Sequence, residues 1–518
     1  MSKLLRTLKP CYLKPKLNLT ASITNQFTTL TKYTKLTTEL NTTNLYPNYK
    51  HSDPPRTSIK QVIENYGEVI QPGEKLEVDG DIVLTGRVKG IRQTSKTLYF
   101  IDLHEESSKI QLIVKSSKDK ELLNNISLWD NIEVRGIIGK SKVGELSLFV
   151  KEHPVKLLSP CLQKLPDWKG VKEVSVKLRN RTLDLLSDQK SFSTLKTRFE
   201  VLQYLRQYLT TREFLEVETP ILSAQSGGAN ATPFLTTSKA LNQDLQLRIS
   251  PELYLKQLIC SGFPKVFELG KVFRNEGIDA THLPEFTSLE FYSIYWNLND
   301  LIKFTENFLI NFIMKFNNGS NIIELENGTK LTFNENFDQI QVIPTLEEKL
   351  GEKLPDLYGP VDPFIDLCKR NNVPIKAPFT VNRLIDQMIS HYIEPMCQNP
   401  TFLIGHPITM SPLAKHLPNK PLESARFELF INGAEFINAY EELNDPLVQK
   451  ERFLQQLKDK ELGDKEAQEI DTNFIESLMY GLPPTGGWGL GVDRLIGLVT
   501  QSKSIRDTVA FPMVTQNQ

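Results

Sequence analysis

The chain has 518 residues, of which 40% are hydrophobic and 24% charged, and a formal net charge of −1. That length exceeds one ordinary core and implies roughly two or three domains. The composition, with no uninterrupted apolar stretch long enough to cross a bilayer, argues against a membrane-embedded protein. The near-neutral charge provides no global attraction to a polyanion, so a nucleic-acid partner has to be held by local surface.

The first segment is biased. No acidic residue precedes Glu39, whereas Lys3, Arg6, Lys9, Lys14, Lys16, Lys32 and Lys35 are interspersed with Thr, Ser and Leu. Residues 1–50 therefore read as a mitochondrial import segment and arm directed to the matrix; a basic arm that touches RNA is the alternative. Residues 70–160 read as a small β domain. Its runs Asp81 to Val88, Leu98 to Leu103, Lys109 to Lys115, Asn131 to Ile137 and Glu145 to Val150 are rich in β-forming residues and separated by polar turns. Such strands without a long helical pattern suit an OB-type barrel, a fold that commonly binds oligonucleotides.

Residues 161–180 form a linker, and 181–518 a second, larger domain. An amphipathic helix is expected over Leu195 to Leu209, with Leu195, Phe199, Leu202, Leu205 and Leu209 on its buried face. An extended run follows from Leu215 to Leu222. Strands and helices then alternate irregularly, which makes the class α+β rather than a series of βαβ units. The cysteines (Cys11, Cys161, Cys260, Cys368, Cys397) are odd in number and lack C-x-x-C spacing, as reduced thiols would be.

Three stretches carry chemistry. In the strand Lys265 to Arg274, alternation separates Phe267, Leu269 and Phe273 from Glu268 and Arg274. After the loop Arg274-Asn275-Glu276-Gly277, the run Pro284 to Tyr292 places Phe286, Ser288, Glu290 and Tyr292 on one face. A guanidinium can grip phosphate or carboxylate bidentately while an aromatic ring stacks on a base; a half-buried hairpin with a surface arginine would look the same. The second stretch, Gly487-Trp488-Gly489-Leu490-Gly491-Val492-Asp493-Arg494, lets backbone approach a ligand and sets an arginine at a helix start. Glycines at a tight strand-to-helix bend are the alternative. In the third, Asn432-Gly433 signals a hairpin, and pairing across it puts Glu428 and Glu435 on one face, where their oxygens could hold Mg²⁺. Ideal alternation sends Asn438, Tyr440 and Glu442 to the opposite face. All five can line one site only if a bulge or kink lies between Glu435 and Asn438.

In this order the stretches resemble motifs 2 and 3 of class II aminoacyl-tRNA synthetases, and Arg212-Glu213-Phe214-Leu215-Glu216-Val217-Glu218-Thr219-Pro220 resembles motif 1. Within the class the chain is most similar to the lysyl-tRNA synthetases. The strings that carry this likeness are Gly227-Gly228-Ala229-Asn230-Ala231, Arg248-Ile249-Ser250-Pro251-Glu252-Leu253-Tyr254-Leu255-Lys256 and Asn438-Ala439-Tyr440-Glu441-Glu442-Leu443-Asn444-Asp445. The resemblance implies an OB-type anticodon-binding domain followed by a catalytic domain on an antiparallel sheet, in a homodimer. It also implies ATP, Mg²⁺, L-lysine and tRNA(Lys) as ligands.

Carried over by position, Arg274 would bridge the α-phosphate and the lysine carboxylate, with Asn438 assisting. Phe286 would stack on adenine, while Glu276, His282, Gly489, Gly491 and Arg494 would bind ATP. Glu428 and Glu435 would hold Mg²⁺ against the nucleotide. Gly228 and Glu252 match contacts to the α-amino group of lysine, and Glu290, Tyr292, Tyr440 and Glu442 match its side-chain pocket. Phe100, Gln111 and Glu152 match positions that read the anticodon. An aspartyl- or asparaginyl-tRNA synthetase shares the motifs but would want cations where this chain has Glu252, Glu290 and Glu442. A non-catalytic RNA-binding relative is the remaining alternative.

Overall fold

The computed structural model describes residues 55–514 except 77–80, 116–125, 151–154, 164–170 and 226, together with 45–49, 34, 36 and 38. The import-segment reading therefore falls almost entirely outside the described residues, as does Glu152. The described residues form two compact units, divided after Asp167.

In the first unit, β1 (Ile82–Ser95), β2 (Leu98–Glu105), β3 (Ser108–Lys115), β4 (Asn131–Lys140) and β5 (Leu146–Val150) occupy the five expected runs. A sixth strand, β6 (Lys156–Ser159), is added; its four residues carry too little alternation to stand out in sequence. The order is β1-β2-β3-β5-β4-β6, with β1 also paired to β4. This extra pairing closes the sheet into a barrel and removes the open edges that β-sheets otherwise leave. Along β2, Tyr99, Ile101 and Leu103 point into the core while Phe100, Asp102 and His104 stay partly exposed. Helix α1 (Ile59–Tyr66) starts at a Ser58/Gln61 capping box and buries Ile59 and Val62 against that core.

The second unit differs from expectation at its entry, because Val174–Arg179, inside the segment read as linker, is helical. The long helix α2 (Gln189–Thr210) buries Leu195, Leu205 and Leu209, but Phe199 is 54% exposed. A spacing of three and four defines a stripe wider than the core contact, and Phe199 lies on its margin.

The central sheet has eight strands. Taken in chain order these are β7 (Leu215–Glu216), β8 (Lys265–Phe273), β9 (Glu285–Ile294), β10 (Asp338–Gln341), β11 (Thr401–Ile404), β12 (Arg426–Ile431), β13 (Ala434–Glu441) and β14 (Thr485–Gly491). Across the sheet the order is β10-β11-β12-β13-β14-β9-β8-β7, antiparallel except at the two outer pairs. One face carries Phe267, Leu289, Phe291, Phe427, Leu429, Ile437, Trp488 and Leu490, packed on α2 and on α3 (Leu298–Phe316). Trp488 stacks on Phe291 with centroids 5.0 Å apart, and its indole N–H donates to Thr305 Oγ1 at 2.9 Å, so the buried polar atom is satisfied.

A buried ion pair ties α2 to the far end of the chain. Arg198 Nη1 lies 2.5 Å from Asp493 Oδ1 and Nη2 donates to Thr287 Oγ1 at 2.8 Å, while Asp493 Oδ2 accepts from the Thr287 N–H at 2.8 Å. Asp493 opens helix α4 (Val492–Thr500), directly before Arg494.

Candidate active site

The face of the sheet opposite the aromatic core is open because its middle strand has almost no side chains there. Trp488 and Leu490 of β14 point into the core, which leaves Gly487 and Gly489 on the open face. Gly489 stands between Glu290 on β9 and Asn438 on β13, and Gly487 between Tyr292 and Tyr440. One strand further, Glu428 is opposite Asn438 and Arg426 opposite Tyr440. The neighbours lean over the glycine floor and bound a cavity of about 400 Å³.

The hairpin β12–β13 contains the bulge that the sequence required. Leu429 pairs with Ile437 but Phe430 pairs with Glu435, so Phe436 is the extra residue. It turns into the apolar core, and Glu435, Asn438 and Tyr440 share the cavity.

At one end of the cavity Arg274 follows β8, its N–H held by Pro284 O at 2.9 Å. Its guanidinium lies 5.2 Å from the Phe286 ring centroid, and its Nε is buried without a hydrogen-bond partner. An unsatisfied buried donor is costly and suits a site where a ligand supplies the acceptor. Arg494, at the start of α4, donates to Glu435 O at 2.5 Å and stands 3.2 Å from His282 Nε2; His282 is itself anchored through Nδ1 to Asp279 at 3.0 Å. Glu276 also lines this end.

Glu428 and Glu435 are electrostatically unequal. Burial would raise Glu428, but the ion pair with Arg426 and the His406 Nε2 contact at 3.2 Å hold it at about 2. Burial and the Glu428 charge push Glu435 up to about 7. The two carboxylates face the same cavity as Arg274, Arg426 and Arg494. The donor set fits Mg²⁺ bound largely through phosphate and water oxygens, the way that ion prefers to be held. No group of three or more His, Cys, Asp or Glu among the described residues forms a complete protein cage.

The other end is acidic. Gly228 has φ of +86°, and a Cβ there would come within 2.8 Å of Glu252 Cβ, so only glycine lets this loop pass so close. Glu252 begins α5 (Glu252–Cys260) and accepts from the Tyr440 hydroxyl at 2.6 Å. Glu290 accepts from Ser250 Oγ at 3.1 Å and Ser288 Oγ at 3.3 Å. Glu442 is fully buried beside Gly487 and Tyr292 of the cavity floor, and its carboxylate is ion-paired with Lys256, which is also fully buried. Sequence reading assigned no role to Lys256, Arg426, His406 or Ser250; the only signal for Lys256 was its spacing of four from Glu252 on a helix.

Burial, reinforced by the Glu252 charge, raises Glu290 to about 7, from an ordinary value of 4.5. A carboxyl with a raised folded-state pKa contributes stability below about pH 4.5 that is lost as pH rises through about 7. Glu290→Gln is therefore expected to stabilise the ligand-free protein by roughly 1–3 kcal/mol at pH 8. The gain should shrink towards pH 5, as read from denaturation midpoints at the two pH values; an equal gain at both would contradict the assignment.

In the barrel, Phe100 lies on the outer face beside Arg92 of β1 and Ile113 of β3. Gln111 is 4% exposed and already bonded to Glu145 at 2.8 Å and Ser147 at 3.2 Å.

Two family descriptions match the chain. Residues 173–515 match tRNA synthetases class II (D, K and N), and residues 82–155 match the OB-fold nucleic acid binding domain. The chain belongs to the class II tRNA synthetases of the D, K and N group, with an N-terminal OB-fold domain. Among its relatives, lysine–tRNA ligase cla4 of Cladosporium cladosporioides is 38% identical over 92% of this chain and 82% of its own length. The lysine–tRNA ligase of Thermotoga maritima is 39% identical over 88% of this chain and 90% of its own. That of Halalkalibacterium halodurans is 39% identical over 89% and 91%.

Proposed function

We propose that this protein is a lysine–tRNA ligase that activates L-lysine with ATP and transfers it to the 3′ end of tRNA(Lys). The observation that carries the reading is the acidic end of the cavity. Glu252 and Glu290 face it, and the one nearby lysine ammonium is taken up by Glu252 and Glu442. A substrate ending in an ammonium group finds carboxylates there, whereas aspartate would be repelled and asparagine would leave the charges unpaired.

In the first step a lysine carboxylate oxygen attacks the α-phosphorus of ATP and pyrophosphate leaves. In the second, the terminal ribose hydroxyl of tRNA attacks the activated carbonyl, loses its proton, and AMP leaves. Neither step needs a covalent enzyme intermediate. Arg274 stabilises the charge that builds on the α-phosphate, with adenine stacked on Phe286 and Arg494 on the terminal phosphate. Asn438 and Gly228 orient the lysine carboxylate and α-amino group. Mg²⁺, when bound at Glu435 and Glu428, neutralises phosphate charge. Because Glu290 must be ionised to receive the substrate ammonium, the KM for lysine should fall as pH rises through about 7 and then level off.

ATP–pyrophosphate exchange without tRNA tests the reading. Exchange with lysine but not aspartate or asparagine is expected, exchange with another amino acid would overturn the pocket assignment, and no exchange from folded protein would favour a non-catalytic relative. On the tRNA side, Phe100→Ala should lower kcat/KM for tRNA charging about tenfold, the worth of one base–aromatic stack. Exchange without tRNA should be unchanged. Unaltered charging would remove Phe100 from anticodon recognition.

Two further parts of the proposal have separate supports. Homodimerisation rests on Phe199, Leu215, Ile221 and Leu222, 45–54% exposed around the motif 1 stretch, and sedimentation measures it. A mitochondrial address rests on the acid-free composition before Glu39, and localisation of a fluorescent fusion to residues 1–50 tests it.

A further inference from the structure

We propose that Lys256 is a positioning residue for amino-acid selection: its ammonium fixes Glu252 and Glu442 from behind and sets the charge of the pocket to match the two ammonium groups of lysine. The inference rests on the lysine reading above and extends it to a residue that never touches the substrate.

Lys256 sits one turn along α5 from Glu252 and has no exposed surface. Its Nζ is 2.6 Å from Glu252 Oε1 and ion-paired with Glu442 Oε2, and it lies 5.6 Å from the ring centroids of both Tyr440 and Phe474. The layer around it is otherwise apolar, with Leu253, Leu255, Ile259, Phe453 and Phe474. An ammonium group in such a layer is costly, and a hydrophobic side chain of similar length would fill the space at no electrostatic cost. What the lysine adds is direction and charge.

Glu252 Oε1 receives both Lys256 and the Tyr440 hydroxyl, which leaves Oε2 as its free oxygen. Glu442 is crowded on its other side, where a Cβ at Gly487 would collide with Oε1 and lie 2.7 Å from Tyr292 Cε1. The glycine and the lysine together determine where this carboxylate can be.

The charges also match. Once all three are ionised by the bound substrate, Glu252, Glu290 and Glu442 would carry three negative charges, and the one resident ammonium would leave two, the number of ammonium groups that free lysine carries. Among the described residues, the other titratable groups acting on this cluster are the acids Tyr292 on β9, Tyr440 on β13 and Cys260 on α5, with the Arg274 guanidinium acting on Glu290 and that of Arg426 on Tyr440 from the phosphate side. Burial pushes Glu442 well up, and Lys256 is the main influence against it. Without Lys256 the cluster would have to retain a proton, and the pocket would lose a charge it needs for its substrate.

Lysine-dependent ATP–pyrophosphate exchange by Lys256→Met, measured from pH 6 to 8.5, tests the inference. Losing one partner of a buried charge pair should raise the KM for lysine by about 30-fold or more, with the KM for ATP within about twofold of wild type. The pH at which the lysine KM levels off should move up by about one unit or more, a change that loosened packing alone would not produce. If Lys256→Met does not fold, Lys256→Met combined with Glu442→Gln removes both buried charges and keeps the shape. That protein should fold, show the raised lysine KM, and level off at the wild-type pH. A lysine KM within about threefold of wild type in either variant overturns the inference, as does an unmoved pH profile in folded Lys256→Met. No lysine exchange by the wild type would instead overturn the underlying lysine reading.

Discussion

Arg274→Ala is expected to lower lysine-dependent ATP–pyrophosphate exchange by about 10²–10³-fold, the usual loss when one preorganised donor to a developing oxyanion is removed. The guanidinium is held at the end of β8 and rests on Phe286, and its buried Nε awaits an acceptor. The loss should appear in kcat as well as kcat/KM, because the charge it meets is greatest in the transition state. Arg274→Lys should recover little, since a point-charge ammonium cannot make two parallel bonds or stack on the ring. Exchange by Arg274→Ala within about tenfold of wild type would remove Arg274 from the chemical step.

Arg198→Leu is expected to cost the catalytic unit about 3–5 kcal/mol, since it strands Asp493 as an uncompensated charge in the interior. Asp493 is 2% exposed, and its second oxygen is committed to the Thr287 N–H. Adding Asp493→Asn to the same chain should recover part of the loss by removing the stranded charge. The shift is read as the urea midpoint of the catalytic-unit transition, and a change under about 1 kcal/mol would contradict the network's role. Activity should suffer with stability, because Asp493 anchors the turn that presents Arg494.

Most of the sheet that carries the site was legible, because strand alternation and turn chemistry are local. The β8–β9 hairpin, the Asn432-Gly433 turn and the glycine strand β14 each reveal themselves within about ten residues. Even the bulge at Phe436 followed from asking how Glu435 and Asn438 could share a face. Contacts between distant segments were not legible without the family resemblance. Tyr440 reaches Glu252 across 188 residues and Arg198 reaches Asp493 across 295, and no spacing rule joins them. Lys256 was hidden for a different reason: a lysine four residues after a glutamate on a helix usually marks a solvated face, whereas this pair is inside. Alternation correctly gave Glu442 the parity of Asn438 and Tyr440, but not the side chains of α5 and β9 that cover it.

The extra residue in β13 is what lets Glu435 and Asn438 share a face although an even number of residues separates them. Deleting Phe436 would leave one residue between them, a spacing that ordinary strand alternation already puts on one side, with Ile437 to Glu441 pinned by β14. The carboxylate would keep its side of the sheet, while the core would lose the phenyl ring that helps to fill it. For this stretch, a one-codon deletion is a lesion of packing before it is one of chemistry.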